Sequence, residues 1–224
     1  TETLEEYSSN MMNRLVENRK VILQNDMNQR WASIHEQEGV MDGILERFLE
    51  DTGVSLDGLL ASEERKNELL ELFFPECLDI LQSHSTTGIF LVLTGTDMGE
   101  AGEYAGFFVR DSEPDANPAN GTDLLLERGS KLLSREWNIP LDTSWTTRFR
   151  MEGQGREAAE DYFYEPWRAG TEYADADTAD LGYWSLPFCL GKDGTDSYEM
   201  ITYSLPLRHE GQVYGVIGVE ISSR

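Results

Sequence analysis

Cations are scarce in this sequence. Lysine and arginine number 18 against 42 aspartates and glutamates, for a formal charge of −24. Nucleic acid and anionic membrane surfaces both need a cationic face, so the balance argues against either as a partner. A solvated surface that keeps the chain soluble accounts for the acidity by itself. Cysteine is scarcer still. Cys77 and Cys189 fit no metal motif, and pairing in an oxidising compartment stays open. The three histidines, His35, His84 and His209, have no metal-ligand spacing with one another or with a cysteine, and read as surface residues. There is no nucleophile elbow and no phosphate-binding P-loop. No run approaches the ~18 apolar residues of a transmembrane helix, and no signal peptide is visible. The chain starts Thr-Glu-Thr and stops at Ser223-Arg224 just after a strong strand, as expected of a piece of a longer protein. Methionine removal before Thr1 also accounts for the start.

Two short patterns imitate sites. Gly153-Gln154-Gly155-Arg156-Glu157-Ala158 matches a dinucleotide fingerprint ahead of a helix. That fingerprint needs a buried parallel strand before it, and Thr146–Arg150 is too polar for that place. Asp175, Asp177 and Asp180 lack the glycine and distal glutamate of an EF-hand loop, so a solvated acidic loop is the simpler reading than a weak cation site. No cofactor is implied.

The residues present divide the chain by period. From Thr1 to about Gln37, Leu4, Tyr7, Met11, Leu15 and Ile22 recur at helical steps, and Trp31 and Ile34 continue the stripe until Gly39. A helix of that length, ~50 Å, suggests a stalk or a pairing surface as readily as a helix packed along a domain. Met41–Glu50 reads as a second helix, broken by Asp51-Thr52-Gly53. Ser62–Ser83 reads as a third, with Ser62 as its cap and Pro75 as a restart or kink. From Thr87 the pattern is that of strands: Gly88–Leu93 and Tyr104–Arg110. Asp111–Gly121 is loop, Leu124–Glu136 holds a short helix, and Glu157–Tyr173 is a helix kinked at Pro166. Gly182–Cys189 is a strand, and Lys192-Asp193-Gly194 a turn. Helices first and an antiparallel sheet of about five strands after give an α+β fold, with residues 1–86 helical and 87–224 the sheet domain.

The last 25 residues organise the rest. Tyr198–Leu207 and Val213–Ile221 are two strands joined by the turn His209–Gln212, a β-hairpin. Gly215 and Gly218 in the second strand mark a close approach by a ligand or another backbone. Glu220 is a carboxylate inside an apolar run. It either faces solvent at the strand end or meets a ligand cation, since an unpaired buried charge is costly. Aromatic residues concentrate between Trp145 and Tyr203: Trp145, Tyr162, Tyr164, Trp167, Tyr183, Trp184, Phe188, Tyr198 and Tyr203. Core packing explains most of them. Together with Glu220 and the rare cations Arg148 and Arg150 they also suit the lining of a small-molecule pocket.

These features resemble the extracytoplasmic Cache sensor domains, the PAS-like modules of bacterial chemoreceptors, histidine kinases and diguanylate cyclases. The resemblance rests on the long opening helix, Tyr162-Phe163-Tyr164-Glu165-Pro166-Trp167, Tyr183–Phe188, Ile201–Leu207 and Gly215–Ile221, in order along the whole chain. It implies a non-enzymatic, membrane-anchored domain outside the cell. Such a domain would bind a small molecule on the sheet, under the pocket-side helix, and pass the signal to an output domain elsewhere in the protein. The ligand class would be an amino acid, an amine or a small carboxylate, with a homodimer through the N-terminal helix. In amino-acid-binding members an arginine and aromatics on the helix hold the carboxylate, and acids on the sheet hold the amine. Trp167 and Glu220 match that pattern. Glu165 stands at the arginine position, Arg168 at a tyrosine, Phe188 at the sheet tyrosine and Leu190 at an acid. Arg148 or Arg150 is the expected replacement clamp. The alternatives are an interaction module that works through stalk dimerisation alone, and, more distantly, an enzyme using a nucleotide at Gly153–Ala158.

Overall fold

The computed structural model describes residues 10–11, 14–15, 18, 34–84, 86–113, 123–189 and 199–222. The chain divides into two compact units, Thr1–Gln37 and Glu38–Arg224. In the first unit the described residues are helical, as the stripe predicts. Met11 and Leu15, one turn apart on that stripe, are 54% and 60% exposed. Leu4, Tyr7, Ile22 and Trp31 of the same stripe lie outside the described residues, as does the turn expected at Lys192-Asp193-Gly194.

Residues 34–52 form one helix, α1, which does not stop at Gly39. Each glycine inside a helix costs ~1 kcal/mol. Met41, Leu45 and Phe48, at i, i+4 and i+7, are all buried and outweigh that cost. The helix ends at Gly53, whose φ of +67° suits glycine, and whose N–H donates to the Leu49 carbonyl at 2.9 Å. Helix α2 (Leu56–Leu60) follows the cap Ser55, and α3 (Glu63–Ser83) follows the predicted cap Ser62, whose hydroxyl accepts from the Arg65 N–H. Pro75 neither restarts nor splits α3.

Within the second unit there follow β1 (Gly88–Leu93), β2 (Gly102–Tyr104), β3 (Gly106–Asp111), β4 (Leu124–Arg128), α4 (Lys131–Trp137), β5 (Leu141–Thr146), β6 (Phe149–Met151), α5 (Asp161–Glu172), β7 (Tyr183–Trp184), β8 (Met200–His209) and β9 (Gln212–Ser222). Seven strands form one sheet in the order β5-β4-β3-β1-β9-β8-β7, and β2 pairs with β6 in a second. Every pair is antiparallel except β4 with β5. The fold is α+β, with seven strands where about five are predicted. Three local readings change. Leu124–Arg128 is a strand, because Leu124 and Leu126 alternate into the core and extend the edge of β3, and the helix begins only after the cap Ser130. The run Tyr104–Arg110 splits at Ala105 between two sheets. Gly182–Cys189 shrinks to the two residues of β7 and a bridge from Phe188 to Met200.

Alternation assigns the two faces of the sheet. Leu91 and Leu93 of β1, Phe107 of β3 and Ile217 of β9 turn toward α3, where Phe74 meets Phe107 edge-on at 5.0 Å and Phe73 meets Tyr214 at 6.3 Å. Tyr214 joins that face because β9 bulges there: Leu207 pairs with Gly215, and Arg208 with Val213. Phe90, Phe108, Val216 and Met200 turn the other way, into a core with Tyr162 and Phe163 of α5. Helix α5 crosses this second face intact despite Pro166. Proline cannot donate to the carbonyl four residues back, here that of Tyr162. The buried Ser204 hydroxyl of β8 donates to that carbonyl instead, at 2.7 Å. Cys77 is buried in α3 and Cys189 half-buried, and both are free thiols.

Candidate functional site

One row of residues runs straight across four strands on the α5 face. Arg110 of β3 pairs with Gly88 of β1, Gly88 pairs with Glu220 of β9, and Glu220 pairs with Thr202 of β8. Strands lie ~4.8 Å apart, so Arg110 and Glu220 start about 10 Å from each other with only Gly88 between them. Glycine leaves room there for the Glu220 carboxylate and the edge of the Phe108 ring. A Cβ on Gly88 would stand 2.5 Å from Glu220 Oε2 and 2.8 Å from the Phe108 ring. Across that gap Arg110 Nε approaches Glu220 Oε2 at 3.8 Å. Its Nη1 donates to Glu127 Oε1 at 3.1 Å. The Glu220 and Glu127 side chains are 0% and 5% exposed, and that of Arg110 is 20% exposed. Glu220 is therefore not a solvent-facing strand end. It is a buried carboxylate whose nearby cation is Arg110.

Burial raises the Glu127 carboxyl above its ordinary pKa, against the opposing pull of Arg110. Beside Glu220, the Thr202 hydroxyl has no hydrogen-bond partner among the described residues, although the residue is 1% exposed. Such a group is costly to bury unless something pairs with it. Aromatic rings wall this end of the face. Phe188 stacks on Tyr162 at 5.2 Å and 5°, and Tyr162 meets Phe90 edge-on at 5.1 Å. Burial holds the Tyr162 phenol well above its usual pKa, with Arg128 drawing it down.

The predicted site residues separate. Glu220 and Phe188 belong to this end. Tyr164 is buried in the core beside Phe163 and turns no face to solvent. Arg148 ion-pairs with Glu63 at 2.8 Å, at the start of α3. Arg150 is exposed on β6, opposite Glu103. Arg110 is the arginine that faces Glu220. Trp145 donates to the Gly129 carbonyl at 3.0 Å, under Lys131. Tyr203 and Trp184 pair across β7 and β8, their rings 4.7 Å apart, and by alternation they lie on the opposite sheet face from Glu220. Burial pushes the Tyr203 phenol up to about 12. Arg168 pairs with Glu165 one turn away on α5.

Trp167 packs, partly buried, against the same α5-face core as Phe188. It borders a groove of about 560 Å³ between the loop after β1, the end of α5 and the β8–β9 turn. Glu220 pairs with Gly88 at one end of β1, whereas Gly215 pairs with Leu93 at the other. Five residues of strand separate the ends by ~17 Å, too far for one small ligand to touch both. Gly218 also serves packing, since the Phe90 ring fills the space above it. Gly215 sits under the backbone of β1, with the Val92 carbonyl 3.1 Å from where its Cβ would be. The fingerprint-like Gly153–Ala158 follows β6, whose partner is the antiparallel β2, so no crossover unit surrounds it. Among the described residues no cluster of metal ligands occurs, and no helix is long and apolar enough to cross a membrane.

The far end of the hairpin is tied to α1. Arg208 donates to both carboxylate oxygens of Glu38, at 2.9 and 3.2 Å, to the carbonyls of Ala174 and Ala176, and to the Thr178 hydroxyl. His209 Nδ1 lies 2.6 Å from Asp42 Oδ1.

No protein-family model matches the chain, and no curated protein does. Solved structures do. The sensory domain of the Campylobacter jejuni chemoreceptor Tlp3 (CcmL) is similar over 94% of this chain and 63% of its own, at 13% identity and a TM-score of 0.37. The periplasmic sensory domain of the Campylobacter jejuni chemoreceptor Tlp1 is similar over 92% and 61%, at 12% identity and a TM-score of 0.37. The extracellular domain soHK1S-Z6, assigned to a histidine kinase, is similar over 89% and 63%, at 14% identity and a TM-score of 0.38. A ligand-binding domain of Tlp3 is also matched in complex with L-valine. The chain spans about three-fifths of the length of the domains it matches.

Proposed function

We propose that this chain is the ligand-sensing domain of a bacterial membrane receptor, placed outside the cytoplasmic membrane and without catalytic activity of its own. In this reading residues 87–224 bind the ligand, and residues 1–86 carry the response to an output domain of the chemoreceptor, histidine kinase or diguanylate cyclase kind. The observation that carries it is the Arg110–Gly88–Glu220–Thr202 row. A zwitterionic amino acid offers an ammonium to Glu220 and Thr202, and a carboxylate to Arg110. It thereby replaces one internal ion pair with two charge-assisted contacts. Arg110 takes the part of the arginine clamp that Glu165 cannot supply, and neither Arg148 nor Arg150 is needed for it.

The signal has a physical route. Strands β8 and β9 carry Thr202 and Glu220 near one end of the hairpin and Arg208 and His209 near the other. A ligand that changes the tilt of the hairpin changes the register of Arg208 on Glu38 of α1, and so shifts a population between two arrangements. A homodimer through the N-terminal helix is the second reading. The exposure of Met11 and Leu15 on one helical stripe favours it.

A thermal-shift screen of the 224-residue chain against amino acids, amines and small carboxylates tests the first reading. A ligand at 100 times its Kd adds about 2.7 kcal/mol and raises Tm by roughly 5–10 °C. Glu220→Gln and Arg110→Lys should each abolish the shift while leaving the unliganded protein folded. A flat screen across all three classes, with a concentration-dependent dimer in sedimentation, would transfer the function to the pairing surface.

A further inference from the structure

The groove beside Trp167 lies too far from Glu220 to share its ligand, and its chemistry differs. We propose that it is a second binding site, for a neutral polyhydroxylated ligand of the saccharide class. Its volume of about 560 Å³ falls inside the ~300–1,000 Å³ of small-molecule sites. Among the described residues no lysine, arginine or histidine lines it, and the chain carries −24, so an anion finds no counter-charge there. The half-buried indole of Trp167 supplies the aromatic surface. Around it stand the hydroxyl of Thr96, the carboxylate of Asp97 and the amides of Gln154 and Gln212. A pyranose ring has the matching division: a flat C–H face to lie on an indole, and a rim of hydroxyls to meet carboxylate and amide groups.

The walls are held before any ligand arrives. The Thr94 N–H donates to the Tyr214 carbonyl at 2.9 Å, anchoring the loop to β9. The Tyr104 hydroxyl donates to the Asp97 carbonyl at 3.2 Å, and the Gly99 N–H donates to Asp97 Oδ1 at 3.0 Å, which aims the carboxylate. Gln212 Nε2 donates to Asp57 Oδ1 at 3.1 Å, fixing the turn. Preformed walls spare a ligand the cost of ordering them. An organic cation would also meet one indole and one carboxylate. Cation sites surround the charge with several rings, and among the described lining residues Trp167 is the one ring, set beside hydroxyls, amides and the apolar Leu60, Met98 and Val213.

Isothermal titration of the 224-residue chain with glucose, galactose, xylose and inositol at millimolar concentrations tests the site. At least one should bind. Trp167→Ala should weaken it by about tenfold or more, as expected for loss of a stacking aromatic. Asp97→Asn, on an exposed loop with no role in the core, should weaken it too while leaving Tm unchanged. Absence of binding by all four, affinity unchanged from the parent in both variants, or binding of choline in their place would each overturn the proposal.

Discussion

Replacing Gly218 by alanine should destabilise the protein through one contact. A Cβ at position 218 would stand 2.6 Å from Phe90 Cε1, and closer still to Cζ. Carbon atoms settle at about 3.5–4.0 Å, so the ring must retreat by more than about 1 Å. It has little room, because Phe90 is 3% exposed, with Tyr162 edge-on at 5.1 Å and Phe108 at 6.4 Å. Overpacking of this kind costs ~1–3 kcal/mol, and three rings packed edge-on against a paired strand belong at the upper end. At ~2–4 °C per kcal/mol for a chain of this size, a loss of about 3 kcal/mol lowers Tm by roughly 6–12 °C. Urea denaturation of Gly218→Ala, Phe90→Leu and the double variant isolates the contact. Leucine withdraws the ring edge, so in that background the alanine should cost under ~1 kcal/mol, a coupling of about 2 kcal/mol. An unchanged Tm in Gly218→Ala, or the same loss in both backgrounds, would refute the packing account. A glycine kept for ligand approach predicts a different result, lost affinity at constant stability.

Other perturbations follow from neighbouring contacts. Ser204→Ala removes the donor to the Tyr162 carbonyl that Pro166 cannot serve, leaving a buried acceptor alone. The expected loss is about 1–3 kcal/mol in urea unfolding. A Ser204→Ala variant as stable as the parent would show that the carbonyl is satisfied otherwise. Burial raises the folded pKa of Glu127 above 4.5, so between that value and the raised one the folded state binds more protons than the unfolded state. This contribution is fully present below pH 4.5 and lost as pH rises through the folded pKa. Unfolding free energies of the parent and Glu127→Gln, measured from pH 4.5 towards neutrality, should therefore diverge, the parent losing stability relative to the variant. Parallel curves would contradict the burial argument.

Much of the fold was legible because local chemistry and tertiary contact agree there. Ser62 caps α3 where a serine before two glutamates should, and the continuous apolar runs of β1 and β9 coincide with strands buried on both faces. The stretch Leu124–Glu136 holds its expected short helix at Lys131–Trp137, but the strand Leu124–Arg128 before it went unread, because a short leucine-rich run suits a helix or a strand equally. The exposed edge of β3 decided it. Gly39 misled because a glycine signal is worth ~1 kcal/mol, less than the buried stripe that continues beyond it.

The sequence by itself determined the class of the fold, the hairpin that ends it, and the oddity of Glu220 in an apolar strand. Composition, period and turn chemistry act over a few residues and need no partner to be read. Tertiary structure alone decided what Glu220 faces. Arg110 is 110 positions away, and only the register of β3, β1 and β9 puts the two on either side of Gly88. It also parted Trp167 from Glu220 by the length of a strand, and sent Arg148 to α3. Side chains distant in sequence meet through strand pairing and helix docking. A shift of one residue in either would turn a site residue to the other face.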